Sequence, residues 1–544
     1  MSSNESLIRD SFRSASSLMG LQLFSRIFTF ILNQAMFRMA PPRAYGTAAI
    51  QFELLLSTIL FLSREGVRNA LLRVKGTAGP AVRNLSVLPM LLGLPLALAT
   101  AYLYAHFAGR EVRSQEHFTV SIGIYALAAL LELMSEPMHN LAMTQLRTRD
   151  RVKAEGLGIT SKTIVTFLVL LHDLRSGGNG SLALIAFAAG QLAYGAAVLA
   201  TYVAAYGTRH MWPKRTLSTK GKSSNYFDPE ILRLSLTMTS QSVIKHFLTE
   251  GDKLILSWFS PLQDQGGYAV AVNYGSLVAR IVFQPIEEAC RGYFSKLIGS
   301  TAPTTSPDDD QKAALVQSSK ALMLLLSVQI SFSAILLVFG TAYIPILLQI
   351  LLPPQYLATS APKVLAAWVW YIPVLAFNGG LEAFLSSVAT PQDLNNQSRW
   401  MAAFSAIYIV AAVSFFSLGL GDASLVYANI VNLSVRILYT VTFVTSFYAR
   451  RRVRHLLHWK AVRPATSFVL SVIVSAILIK TSAYVLKIET MTNSAGRISL
   501  TRVPALLHIG VGVVLGLMNV GVWWISSGRS ISLSQALSAK SKMR

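Results

Sequence analysis

Cysteine and charged residues are both scarce in this sequence. Of 544 residues one is cysteine, Cys290, and 13% are charged, whereas 53% are apolar. A single cysteine excludes an intrachain disulfide, a cysteine-based metal site and a dithiol redox pair. The sequence also lacks a glycine-rich phosphate loop, an HExxH zinc motif and a nucleophile elbow. These absences argue against an enzyme, and we expect neither a cofactor nor a metal.

Long apolar runs extend along nearly the whole chain. A soluble protein carries about a quarter charged residues, roughly twice the fraction found here. Apolar runs of about 18 residues or more can cross a bilayer core, where backbone pairing requires them to be helical. The first run contains Arg26, and we expect it to be retained rather than cleaved as a signal peptide. The sequence predicts an all-α polytopic membrane protein with about fourteen transmembrane helices, near residues 16–40, 45–63, 84–107, 118–145, 154–171, 181–206, 231–256, 267–296, 319–343, 362–388, 400–418, 423–447, 464–486 and 503–525.

The basic residues indicate how these spans are oriented. The net charge is +23, and Lys and Arg concentrate in alternate loops, including a basic run that begins at Arg450. Cytoplasmic loops of membrane proteins carry the excess of Lys and Arg. We therefore expect both termini in the cytoplasm, cytoplasmic loops in contact with anionic lipid headgroups, and no nucleic-acid partner.

The chain is expected to contain two similar halves. Transporters are commonly built from repeats and bind substrate between them. A shift of the numbering by 223 places Tyr45 on Tyr268, Glu65 on Glu288 and Arg68 on Arg291, so the second and eighth spans both end in Glu-x-x-Arg. The predicted domains are an N-terminal six-helix lobe (1–207), a cytoplasmic linker (208–230), a C-terminal six-helix lobe (231–447), and a basic segment with helices 13 and 14 (448–544).

Charged residues inside the predicted spans suggest a binding site. A charge near mid-bilayer costs about 2.5–3.5 kcal/mol on insertion scales, so it normally faces protein or water. These charges concentrate in the first two spans of each half, and guanidinium groups bind phosphate oxygens bidentately. We predict a cationic cavity that binds a diphosphate through six side chains: Arg26, Arg38, Lys245, His246, Arg280 and Gln284.

A second polar set lies at the cytoplasmic ends of the repeated spans. We predict a salt-bridge gate between the halves, formed by Arg64, Glu65, Arg68, Glu287, Glu288 and Arg291. The spacing of Glu65–Arg68 and Glu288–Arg291 also suits ordinary helix-end ion pairs, which is the structural alternative. Glu250, Asp252 and Lys253 lie near the end of the seventh span, where Glu250 is a candidate buried partner for one of the cations.

Other intramembrane polar residues allow more than one interpretation. Glu132 and Glu136 in the fourth span are either a proton site or internally hydrogen-bonded carboxylates. A proton site would favour a cation-coupled exporter. Arg436 and Asn432 in the twelfth span are expected to make packing contacts.

Four segments, LQLFSRIFTFILNQ, LFLSREGVRNALLR, LTEGDKLIL and YGSLVARIVFQPIEE, carry a resemblance to a known family. They resemble the signature segments of the Rft family of endoplasmic-reticulum membrane proteins, and the resemblance runs from about residue 14 to the last span. It implies a fold similar to the multidrug/oligosaccharidyl-lipid/polysaccharide exporter superfamily, with two six-helix lobes plus two C-terminal helices. Lys245 and His246 belong to none of the family's motifs. The family's polar residues correspond by motif to Arg26, Arg64, Glu65, Arg68, Glu250, Asp252, Arg280, Glu287 and Glu288.

The resemblance also implies a role in N-glycosylation. Its substrate would be the dolichyl-diphosphate oligosaccharide with five mannoses on chitobiose, moved from the cytoplasmic to the lumenal leaflet. We expect alternating access through the cationic cavity while the dolichol tail stays in lipid. Two alternatives stay open: a non-transporting accessory or binding protein in lipid-linked oligosaccharide metabolism, and a cation-coupled exporter of the same fold. A membrane glycosyltransferase is disfavoured because the predicted lumenal loops are short.

Overall fold

The computed structural model describes residues 30–71, 80–145, 147–213, 229–298, 309–488 and 503–528. Every regular element in these ranges is helical, because a backbone in lipid must pair its polar groups within its own segment. Twelve of the described helices are long and apolar enough to cross a membrane. The all-α, multi-pass membrane fold predicted from the sequence is confirmed.

Twelve of the fourteen predicted spans coincide with these helices. The predicted first span lies mostly outside the described residues, and its described end, residues 30–39, forms helix α1. The predicted seventh span is helical but is not among the twelve, because serines, threonines and charged residues lower its hydropathy. Glu250 also interrupts it, between α10 (Pro229–Thr249) and α11 (Gly251–Phe259). The total of fourteen therefore stays a prediction.

The chain divides into two compact units, residues 1–269 and 270–544. In the first unit α3 packs against α4 and α10, and α8 packs against α9, around a core that includes the fully buried Phe52, Ile59 and Leu133. The lobe boundaries predicted at residues 207 and 231 stay a prediction. After α1, the first unit contains α2 (Pro42–Gly46), a π-helical segment (Thr47–Phe52), α3 (Glu53–Leu71), α4 (Pro80–Phe107), α5 (Arg110–Arg113), α6 (Phe118–Met134), α7 (Glu136–Thr144), α8 (Thr148–Arg175), α9 (Ala183–Tyr206), α10, α11 and the start of α12 (Leu262–Val278).

The second unit has an aromatic core of its own. The Phe384 ring lies 5.1 Å from Phe294 and 5.9 Å from Tyr448, measured between ring centroids. Its last two long helices are joined by the Asn519 amide, which donates to Ser475 Oγ at 2.7 Å. The helices of this unit after α12 are a π-helical segment (Ala279–Phe283), α13 (Gln284–Ile298), α14 (Asp309–Leu351), α15 (Pro354–Leu357), α16 (Ala361–Val388), α17 (Pro391–Ser417), α18 (Ala423–Arg450), α19 (Thr466–Val485) and α20 (Val503–Trp523).

Candidate functional site

An ion cluster inside the first unit joins α3 to α6 and α7. The Arg64 guanidinium lies 2.7 Å from Glu132 Oε1 and 3.2 Å from Glu136 Oε1. Arg68 donates to both oxygens of Glu136, from Nε to Oε2 at 2.9 Å and from Nη2 to Oε1 at 2.5 Å. Two guanidinium groups and two carboxylates thus neutralise one another among apolar helices, as is usual for charges within a membrane.

The local sequence explains why these four side chains meet. The two arginines are four residues apart on α3, so both lie on the same side of that helix. Ser135 separates α6 from α7, and its hydroxyl donates to the Glu132 carbonyl at 2.7 Å. Pro137, which lacks an amide hydrogen, occupies the first turn of α7, where a helix tolerates proline. Glu132 therefore lies near the end of α6 and Glu136 begins α7.

Burial is uneven within the cluster. The Glu136 side chain is 1% exposed, whereas the Arg68 side chain is 28% exposed. Glu136 accepts hydrogen bonds from both arginines, whereas Glu132 accepts from Arg64. Charge-assisted bonds of this kind are about twice as strong as neutral ones. Glu136 is therefore the central acceptor, and it is the carboxylate with which Arg68 pairs.

A cavity of about 330 Å³ lies beside the cluster in the first unit. This volume is near the lower end of the range for small-ligand sites, about 300–1,000 Å³. Four helices, α3, α6, α8 and α9, contribute to its wall. Besides apolar side chains, the wall contains Glu53, Ser57, Arg64, Glu65, Arg68, Glu132, Lys162, Gln191 and Tyr194.

The side of the cavity formed by α8 and α9 carries a cation that pairs with an amide. Lys162 Nζ donates to Gln191 Oε1 at 2.7 Å. Glycine at position 190 permits this approach, since a Cβ there would lie 2.9 Å from the Lys162 carbonyl oxygen. Among the residues that the structure describes, neither the Glu53 carboxylate nor the Tyr194 hydroxyl has a hydrogen-bond partner. The cavity therefore contains both satisfied and available polar groups.

His246, predicted to contact substrate, lies between helices. It is 3% exposed, its Nε2 is 3.0 Å from Thr58 Oγ1, and its ring stacks on Phe61 with centroids 4.7 Å apart. The Thr58 hydroxyl also donates to the Leu54 carbonyl, so the imidazole acts as donor toward Thr58. His246 thus holds α10 against α3, and a contact with substrate stays a prediction.

The structure describes the side chains of three of the other five predicted diphosphate ligands. Arg26 lies outside the described residues, and the side chain of Lys245 is not among those described. Arg38 and Gln284 are exposed. Arg280, also exposed, lies in the π-helical segment of the second unit and donates from Nη2 to the Asn273 carbonyl at 2.9 Å. The predicted cationic set therefore remains a prediction.

The predicted gate residues have partners other than those expected for helix-end pairs. Arg68 pairs with Glu136 rather than Glu65, whose Oε1 accepts from the Asn69 amide at 3.3 Å. In the second unit Arg291 lies 4.0 Å from Glu287, one helical turn away, and Glu288 is exposed. The i, i+3 alternative is wrong for Arg68, because carboxylates on α6 and α7 offer a more buried partner.

The two acidic residues of the predicted seventh span, Glu250 and Asp252, lie in different surroundings. Glu250 Oε2 lies 2.8 Å from Lys253 Nζ, and Asp252 is half-buried at the start of α11. Glu250 is thus paired with the nearby lysine. A pairing with one of the predicted cavity cations stays a prediction.

Sequence reasoning missed several polar contacts. Arg436, expected to make packing contacts, forms an ion pair with Glu382 in the second unit. Lys162 and Glu53 lie inside predicted spans. Both could therefore have been identified from the sequence as charged residues within the membrane. Nothing in the sequence distinguishes Gln191 or Tyr194 from other polar residues of an apolar helix.

Comparisons with known proteins agree on a family and a fold. The Rft-1 family, described as Rft protein, matches residues 10–535. A "Man(5)GlcNAc(2)-PP-dolichol translocation protein RFT1" of Yarrowia lipolytica is 34% identical over 84% of this chain and 74% of its own length. The protein of that name from Saccharomyces cerevisiae is 31% identical, over 82% of this chain and 84% of its own length.

A solved structure, "Lipid II flippase MurJ, inward closed conformation", resembles this chain with a TM-score of 0.58 and 13% identity. The alignment covers 93% of this chain and 98% of that chain. At this identity the likeness shows the fold alone. That fold agrees with the all-α, multi-pass membrane fold expected from the sequence.

Proposed function

Since this chain belongs to the Rft protein family, we propose that it translocates a dolichyl-diphosphate-linked oligosaccharide across the membrane. The names of its relatives specify Man(5)GlcNAc(2)-PP-dolichol, and we propose the same lipid for this chain. The membrane would be that of the endoplasmic reticulum, the direction cytoplasmic to lumenal, and both termini cytoplasmic. The protein binds and moves its substrate without changing a covalent bond.

The observation that carries this proposal is the polar cavity among apolar helices. A charged, sugar-bearing headgroup cannot cross hydrocarbon unaided, because unsatisfied polar groups there cost several kcal/mol each. The cavity of the first unit supplies hydroxyl, amide, carboxylate and ammonium groups within helices whose other surfaces are apolar. A dolichol tail is apolar and needs no such groups, so it stays in lipid.

The diphosphate itself requires cations, and the sequence offers them in mid-span. We propose that Arg26, Arg38, Lys245, His246, Arg280 and Gln284 form this contact during alternating access. Charge-assisted hydrogen bonds to phosphate contribute about 1.5–3 kcal/mol each after desolvation. The predicted salt-bridge gate is also part of this proposal.

A flux measurement with purified protein tests translocation. The full chain is reconstituted into vesicles that carry Man(5)GlcNAc(2)-PP-dolichol, and a mannose-binding lectin is added outside. The lectin captures the lipid in the outer leaflet. In protein-containing vesicles, we expect the lipid of the inner leaflet to become accessible to the lectin with time. An equal rate of capture in protein-free vesicles would refute translocation.

A binding protein that does not translocate is the second candidate, and one observation favours it. The ion cluster fixes α3 to α6 and α7 through a carboxylate that is 1% exposed, which suits a rigid holding site. The same vesicles distinguish the two functions. Retention of the lipid on the detergent-purified chain, without release of the inner pool, would support holding over transport.

The basic run after α18 is proposed to contact anionic lipid headgroups. Arg451 lies over the Phe447 ring, with its guanidinium carbon 3.7 Å from the centroid, and Arg450 lies 3.9 Å from Asp393. Arg452 and Arg454 are exposed. A basic side chain near an anionic surface contributes about 1 kcal/mol, so these two would anchor the segment.

A further inference from the structure

The charges around the first unit's cavity are balanced rather than cationic. Arg64 and Arg68 are paired with Glu132 and Glu136. Lys162 donates to an amide, and the wall also holds Glu53 and Glu65. The wall therefore carries three formal positive charges, on Arg64, Arg68 and Lys162, and three formal negative charges, on Glu53, Glu65 and Glu132. A site of this composition does not attract an anion.

A diphosphate that took the place of the carboxylates on the two arginines would displace Glu132 and Glu136. The Glu136 side chain is 1% exposed, so its displacement would leave a buried carboxylate without a partner. Breaking a buried ion pair in this way is strongly unfavourable. At Lys162 the diphosphate would instead share the cavity with the carboxylates of Glu53, Glu65 and Glu132, so we expect it to avoid this cavity.

The available groups suit a neutral ligand rich in hydroxyls. The Glu53 carboxylate accepts hydrogen bonds, and the Tyr194 hydroxyl both donates and accepts. Lys162 keeps two N–H groups beyond the one it gives to Gln191. Phe61 lines the cavity while one face of its ring is stacked on His246, and an aromatic surface beside polar groups suits an amphipathic sugar ring.

We propose that this cavity binds uncharged sugar residues of the substrate headgroup and excludes its diphosphate. The inference rests on the proposed function and deepens it, because it assigns the glycan and the diphosphate to different parts of the protein. Glu53 and Tyr194 are the side chains that discriminate. Both lie on the wall with no hydrogen-bond partner among the described residues, so a sugar hydroxyl can bond to either without breaking a hydrogen bond within the protein.

Saturation-transfer NMR on the detergent-purified full chain tests the assignment, with two separate soluble probes. The first is mannopentaose, an uncharged mannose oligosaccharide, and the second is inorganic pyrophosphate. We expect mannopentaose to bind the wild-type chain. Glu53→Ala should weaken that binding about tenfold and Tyr194→Phe about threefold, which are the factors for a charge-assisted and a neutral hydrogen bond.

A matched control is Glu155→Gln. Glu155 lies on α8 and pairs with Arg151 on the surface, with both side chains nearly half exposed, so mannopentaose should bind this variant as it binds the wild type. Tyr194→Phe keeps the aromatic ring, and the Glu53 carboxylate has no hydrogen-bond partner among the described residues that its removal would leave unpaired. Both test variants should therefore melt at the wild-type temperature. If Glu53→Ala melts earlier, Glu53→Gln replaces it.

The outcomes separate this inference from the proposed function. Absence of mannopentaose binding, equal binding to wild type and both variants, or displacement of mannopentaose by pyrophosphate would each overturn the inference. In all three cases a positive flux measurement would leave translocation standing. Conversely, binding that falls in the two variants supports the sugar site even if no flux is found.

Discussion

Replacing Glu136 with glutamine tests the ion cluster directly. The substitution keeps the shape of the side chain but removes the charge that accepts from Arg68 at 2.5 and 2.9 Å and from Arg64 at 3.2 Å. Arg64 retains Glu132 at 2.7 Å. The loss therefore falls mainly on Arg68, which is left without a carboxylate partner.

The expected cost follows from these contacts. Removing one partner of a buried ion pair costs about 3–5 kcal/mol. Since Arg68 is 28% exposed, we expect the lower end, about 3 kcal/mol. Interhelical hydrogen bonds in membranes average only about 0.6 kcal/mol, because the unfolded state finds other partners. Glu132→Gln should therefore cost only about 1 kcal/mol, since Arg64 keeps its second carboxylate.

The assay is the free energy of unfolding of the purified chain in detergent micelles, measured by titration with a denaturing detergent. Glu155→Gln is the matched control, because an exposed pair contributes about 0–1 kcal/mol. Replacing Arg68 and Glu136 together by glutamine should recover part of the loss, as no charge is then left unpaired. The reasoning is refuted if Glu132→Gln costs as much as Glu136→Gln, or if Glu136→Gln costs no more than the control.

Three further predictions concern close packing, the diphosphate contact and the C-terminal helix pair. Gly66→Ala should cost about 1–3 kcal/mol of unfolding free energy, because its Cβ would lie 2.6 Å from the Thr239 amide nitrogen. Gly156→Ala, whose Cβ meets open space, should be neutral or stabilising by up to about 1 kcal/mol in the same assay. Arg280→Ala should slow release of the inner lipid pool in the vesicle assay while leaving protein abundance normal, and an unchanged rate would exclude the exposed guanidinium from the diphosphate contact. Asn519→Leu removes the bonds to Ser471 and Ser475 across α19 and α20 and should cost about 1–2 kcal/mol; a stability equal to that of the wild type would contradict this.

Most of the fold was predictable because the bilayer restricts the choice of structure. A run long and apolar enough to cross hydrocarbon has to be helical there, so span positions follow from composition alone. The exception is the predicted seventh span, which α10 and α11 form. α10 contains Lys245, His246 and several hydroxyl residues, and it meets the rest of the first unit through polar contacts such as His246 with Thr58. Hydropathy alone cannot describe a helix that packs in this way.

The ion cluster was predictable in its residues but not in its pairing. Intramembrane charge identified Arg64 and Arg68, yet sequence spacing suggested Glu65 as the partner of Arg68. The actual partner, Glu136, lies 68 positions further along the chain, so residue spacing within α3 could not identify it. The carboxylates of the fourth span are internally hydrogen-bonded, which was one of the two interpretations open for them. That pairing removes the available carboxylate which a proton-coupled exporter would need at this position.

The pairing also limits where a charged headgroup can bind. In the first unit, each guanidinium of the cluster is already opposed by a carboxylate, and the most buried carboxylate is the one shared by both arginines. A dianion entering beside them would gain attraction to the arginines and lose as much by repulsion from the glutamates. A sugar suffers no such repulsion, because its hydroxyls bond to carboxylate and amide alike. We therefore expect the cations that neutralise the diphosphate to be residues other than Arg64 and Arg68, and the predicted mid-span cations Arg26, Lys245 and Arg280 stay the proposed candidates.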